Sequence, residues 1–196
     1  MSIGVILLDL DGTLLTSSKE ISAANYQALE TAAERGIHIV PATGRFYAGM
    51  PQVVRDLPFF RYAVTVNGAQ VYDRLEAKVL YRAEIPPEAA ERIYGLLDEL
   101  PVIYDCFLDG WGHMDRRNYD RIDQFIADPR VNSMVKALRS PVDGFRAFTR
   151  AQNKPVQKVQ MFFQDMAARE KALAELAEKL PDMAVTSSIP NNVEIN

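Results

Sequence analysis

Ile3-Gly4-Val5-Ile6-Leu7-Leu8-Asp9-Leu10-Asp11-Gly12-Thr13-Leu14 is an almost purely apolar run that stops at two carboxylates. An uninterrupted apolar stretch rich in Val and Ile, bounded by Gly and Asp, reads as a strand buried on both faces of a parallel sheet. Ligands of such sheets bind beyond the carboxyl ends of the strands, which is where Asp9 falls. Asp11 lies two residues on, and in extended backbone both carboxylates project toward the same side. Gly12 gives the departing chain its conformational freedom, and Thr13 adds a hydroxyl.

Downstream, Ser22 is a candidate N-cap for a helix running to about Arg35, with Tyr26, Leu29 and Ala33 at helical spacing and Gly36 as the stop. Residues 37–42 read as a second strand that delivers Thr43-Gly44-Arg45 at its end. Strand, helix, strand is a parallel crossover unit, so Thr43 arrives beside Asp9 if the two strands are neighbours. A second helix is expected over 47–57 and a third strand over 62–66, ending in Asn67-Gly68-Ala69. His38 is expected in the core or under a helix, without a catalytic part.

Asp9-x-Asp11-Gly12-Thr13-Leu14 directly after an N-terminal apolar strand resembles the first motif of the haloacid dehalogenase superfamily of phosphatases and phosphotransferases. Receiver domains also place an Asp at a strand end, but they lack Asp-Gly-Thr there. Ala42-Thr43-Gly44-Arg45 resembles the second motif of the superfamily, and Asn67-Gly68-Ala69 resembles its Cof-type branch, subfamily IIB. The resemblance implies that Asp9 attacks phosphorus and that Asp11 handles the proton. It places phosphate or substrate binding at Leu10, Gly12, Thr43, Gly44, Asn67 and Gly68, while Arg45 either reaches the substrate or caps a local carbonyl. Mg²⁺ is the implied cofactor, with Asp9 and Asp11 as its ligands.

From about residue 70 the pattern changes. Residues 70–73 and 78–82 read as a hairpin that leaves the core for a separate unit. Pro86-Pro87-Glu88 opens a helix to about Leu100, with Ile93, Leu96 and Leu97 on one face. Strands are expected over 102–108 and 111–116 around the Asp109-Gly110 turn, helices over 119–127 and 131–138, and a strand over 157–163. A helix over 166–180 and strands over 183–188 and 192–195 close the chain. The expected fold is therefore α/β: a Rossmann-like parallel sheet core over residues 1–82, with a large inserted α+β cap over 83–196. Trp111, His113 and Asp115 on one strand, and Lys158 and Gln160 on another, alternate as an exposed sheet face would; solvated surface is the expectation for them, and substrate selection the alternative.

A chain of 196 residues with 48% apolar and 24% charged residues has an ordinary globular composition. Its net charge of -4 argues against a general nucleic-acid binder. The lone Cys106 excludes an internal disulfide and a cysteine-rich zinc site, which fits a cytoplasmic setting. No stretch has the length of a membrane span, and the opening apolar run is too short for a signal peptide. The expected partner is a small phosphorylated metabolite, with neither nucleic acid nor membrane involved. Oligomeric state is not readable.

Related enzymes continue into a third motif, a Lys, and a fourth that completes the metal site. No lysine here, Lys19 and Lys78 included, has that context, so the chain is expected to be part of a longer product or a shortened one. Without further strands the first strand would also carry an open edge and exposed apolar surface. The expected activity is an Mg²⁺-dependent phosphatase working through an aspartyl-phosphate. The alternatives are a phosphotransferase such as a sugar phosphomutase, or a catalytically incomplete binding module.

Overall fold

A computed structural model describes residues 3–196, and the chain divides into two compact units, Met1–Ala83 and Glu84–Asn196. In the first, β1 (Val5–Asp9) pairs in parallel with β2 (His38–Ala42), in register from Val5↔His38 to Asp9↔Ala42. The crossover between them is α1 (Ala23–Glu34). Ser22 caps it by accepting from the Asn25 amide, and Gly36 ends it at a φ of 78°. Ile6, Leu8, Leu10, Leu29, Ile39 and Ala63 join in the core of this unit.

β3 (Tyr62–Thr65) lies parallel to β2. The helix expected over 47–57 is instead a 3₁₀ turn, Tyr47–Gly49, and the short α2 (Gln52–Arg55). Pro51 explains the break: Met50 before it is forced to an extended ψ of 142°. The hairpin of β4 (Gln70–Asp73) and β5 (Lys78–Arg82) does not leave the core. It extends the same sheet in the order β1-β2-β3-β4-β5, with β3, β4 and β5 antiparallel.

β1 is the edge strand, as expected without further strands, but its expected burial on both faces fails: Val5 and Leu7 are 48% and 61% exposed. His38, opposite Val5, is exposed as well, its ring tilted against Tyr62. The face carrying Val5, Leu7 and His38 is not the one that α1 covers.

The second unit carries a six-stranded sheet, antiparallel but for one pair. α3 (Pro87–Asp98) buries Ile93 and Leu97 against it, and β6 (Val102–Leu108) turns into β7 (Trp111–Asp115) through Asp109 and Gly110, at φ of 51° and 76°. The helix expected over 119–127 is two single turns, α4 (Arg116–Tyr119) and α5 (Ile122–Phe125). α6 (Pro129–Ala137) starts at Asp128, which caps the amides of Arg130 and Val131. The sequence reading missed β8 (Arg139–Val142), parallel to β7 at the sheet edge where Pro141 is tolerated, and α7 (Phe145–Gln152). Then come β9 (Lys158–Phe163), α8 (Met166–Lys179), β10 (Val185–Thr186) and β11 (Asn192–Ile195). The strand order is β10-β11-β9-β6-β7-β8.

One face of this sheet packs on α3 and α8 through Tyr94, Cys106, Met161 and Leu176. Burial there pushes the Cys106 thiol up to about 12, which keeps it protonated. The other face holds a polar cluster in place of the solvated surface expected around Lys158 and Gln160. Lys158 is only 3% exposed and pairs with Glu194 at 3.2 Å, while Arg139 bonds Asp105 at 3.0 Å and Gln160 at 3.2 Å.

Candidate active site at the ends of the parallel strands

The register fixes the geometry. Asp9 is opposite Ala42, so the next residue of the second strand's chain, Thr43, leaves the sheet beside it. β3 ends level with them: the Thr43 amide donates to Val64 O at 3.0 Å, and the Asn67 amide to Thr43 O at 3.2 Å. Asp9, Thr43 and Asn67 therefore come from three adjacent strand ends, where a parallel arrangement leaves its ligand-binding crevice.

Around Asp9 the chain is tightly wound. The amides of Leu14 and Leu15 donate back to Asp9 O and Leu10 O, at 3.2 and 2.9 Å, and Gly12 adopts a φ of 86°. Leu10 is buried under this turn, so what it offers a ligand is backbone rather than side chain. Thr13 Oγ1 donates to Asp9 Oδ2 at 3.2 Å, which orients the carboxylate.

Thr43 is 7% exposed, and its hydroxyl accepts from the Arg45 amide at 3.2 Å. Gly44 sits close against Asn67: a Cβ there would stand 2.5 Å from Asn67 Oδ1. Asn67 has a φ of 56°, Gly68 of 96°, and buried Val66 of 52°. A β-branched residue in the left-handed region is an outlier, and strain of that kind gathers at ligand sites.

Arg45 does not project outward as a lone cation. Its Nε and Nη2 hold Asp11 Oδ2 and Oδ1 at 2.7 and 3.1 Å, and Nη1 donates to Gly49 O at 3.2 Å. Lys19 closes the other side, with Nζ 2.6 Å from Asp11 Oδ1. Partial burial pushes the Asp11 carboxyl up, but the hydrogen bonds and charges of Arg45 and Lys19 outweigh it and hold the group below the usual carboxylate range. Lys19 has a φ of 63°. Left-handed backbone costs a non-glycine residue about 1–2 kcal/mol, whereas an exposed ion pair returns about 0.2–1 kcal/mol. Lys19 lacks the context of the third motif in the sequence yet reaches the site; the signal for it there is a cation in the polar loop that follows the Asp11 turn.

For a magnesium ion, the Asp9 carboxylate and the Asp11 backbone carbonyl are hard oxygen donors of the fitting kind. Among the described residues no group of three or more His, Cys, Asp or Glu could hold a metal.

The model of the haloacid dehalogenase-like hydrolases matches residues 6–196. The chain belongs to this family. Phosphatase YwpJ of Bacillus subtilis is 31% identical over 103 residues, 53% of this chain and 36% of its own length. A haloacid dehalogenase-like hydrolase from Bacteroides thetaiotaomicron superposes with a TM-score of 0.78 at 22% identity, over 99% of this chain and 71% of its own. The subclass IIB sugar phosphatase BT4131 shares the fold with a TM-score of 0.74 at 20% identity, over 98% of this chain and 69% of its own. The chain thus spans about a third of the length of the first curated relatives it matches.

Proposed function

We propose that this site carries out phosphoryl transfer from a small phosphorylated metabolite to water, with Mg²⁺ as cofactor in a cytoplasmic setting. The observation that supports it is the register of Asp9 with Ala42, which brings a carboxylate nucleophile beside the Thr43 hydroxyl and the amides that follow it. Asp9 attacks phosphorus and forms an aspartyl-phosphate, dividing one difficult displacement into two. Thr43 and neighbouring amides orient the phosphoryl oxygens, where positioning and electrostatics supply most of the acceleration. Magnesium, when bound, offsets the charge shared by phosphate and nucleophile. Unit 2, residues 84–196, serves as the cap in this reading and selects the substrate.

Asp11 takes the proton part. Paired with Arg45 and Lys19 it is ionised, which is the form that accepts a proton from the hydrolytic water. To protonate the leaving oxygen first, Asp11 must take up a proton from solvent, which requires those cations to withdraw.

Release of inorganic phosphate from p-nitrophenyl phosphate, measured with and without magnesium, tests this reading. Turnover that needs the metal and disappears in Asp9→Asn is the expected result. A second reading, a binding module without turnover, is favoured by the short set of metal donors. It wins if the wild-type chain releases no phosphate and Asp9→Asn changes nothing.

A further inference from the structure

Lys19 lies outside every motif read from the sequence, yet it stands at the mouth of the site. Its loop is closed on itself: the Thr16 amide donates to Glu20 O and the Lys19 amide to Thr16 O, both at 2.9 Å, and Glu20 N reaches Thr16 Oγ1 at 3.2 Å. Leu15 ties the loop back by bridging both Asp11 and Ile21. This closure holds Lys19 in left-handed backbone, where glycine or asparagine would fit with less strain. A strained residue kept in place by its surroundings is a mark of ligand clamps and switch regions.

The side chain repeats that message. Its ammonium has three donors, and one of them goes to Asp11 Oδ1. The side chain is 50% exposed, so it can swing from Asp11 to a ligand without crossing a packed core. Arg45, by contrast, is held by two carboxylate oxygens and a carbonyl, with 18% of its side chain exposed. Of the two cations on Asp11, Lys19 is the one built to move.

We propose that Lys19 is a phosphate-binding residue, its ammonium passing from Asp11 to the oxygens of a phosphate group held between Asp9 and Thr43. The proposal rests on the phosphoryl site described under Proposed function. A compact ammonium on a flexible stem suits this task, because it meets phosphate as a point charge and needs no fixed fork geometry. No covalent bond changes: Lys19 binds, and its departure from Asp11 removes one of the two cations that hold that carboxylate ionised.

Titration calorimetry with inorganic phosphate, in metal-free buffer at low salt, tests it on the 196-residue chain. Lys19→Asn tolerates the backbone but loses the charge, and is expected to weaken binding about tenfold at unchanged melting temperature. Lys19→Arg keeps the charge and is expected to stay within about twofold of wild type. Asp9→Asn, which removes like-charge repulsion, is expected to bind more tightly. If Asp9→Asn tightens binding while Lys19→Asn matches wild type, the role of Lys19 is refuted and the phosphoryl site stands. If neither wild type nor Asp9→Asn binds phosphate, either in this buffer or after magnesium is added, both fall together.

Discussion

Gly44 is a position where a single methyl group would meet a side chain of the site. Its Cβ would stand 2.5 Å from Asn67 Oδ1, while the bond from the Asn67 backbone amide to Thr43 O holds only the backbone. Gly44→Ala is therefore expected to turn the Asn67 side chain away and lower stability by no more than about 1 kcal/mol, read from the denaturant midpoint. Asp11 makes the electrostatic counterpart. Arg45 and Lys19 hold it ionised, so Arg45→Gln should raise the Asp11 carboxyl toward the ordinary value near ~3.9, followed by carboxyl NMR titration. An unmoved titration would mean that Lys19 alone sets the charge state of Asp11.

At the scale of elements, α3 and α7 are joined by Glu91, which accepts from Arg146 and Arg150. Burial pushes the Glu91 carboxyl up, but those two guanidinium groups outweigh it and leave it below the usual range. A depressed folded value means stability that is present above the unfolded value, near ~4.3, and is lost as pH falls through the folded one. Glu91→Gln should lower the melting temperature at neutral pH and converge with wild type in acid, as thermal melts across that window would show. The polar cluster of the second sheet is the harsher case. Lys158→Met leaves Glu194, 3% exposed, without its ammonium, and a loss of about 3–5 kcal/mol is expected on chemical denaturation.

For the whole molecule, the open edge of the first sheet matters most. Ile3, Val5 and Leu7 are exposed along an edge strand with no charged or proline residue from Ile3 to Leu8. Such an edge is a template for pairing with another chain, and natural edges are usually blunted with charge. Light scattering of the 196-residue chain should therefore show association that grows with concentration. Leu7→Lys should suppress it without lowering stability, since the side chain is 61% exposed. Equal scattering by both proteins would count against β1 as the contact.

Local pattern alone determined much of this. Ser22 and Gly36 bracket a helix, Asp109-Gly110 turns a hairpin, and an apolar run ending at Asp9 makes a strand that presents an acid, because caps, turns and strand ends are written in neighbouring residues. Pro51 is equally plain in the sequence, and it splits the helix expected around it. What the tertiary structure decided were relations between distant residues: one face of β1 left uncovered, Lys158 buried rather than solvated, and Lys19 and Arg45 meeting on one carboxylate. Burial and charge pairing depend on which strands and loops become neighbours, and a periodicity of two or 3.6 residues carries no record of that.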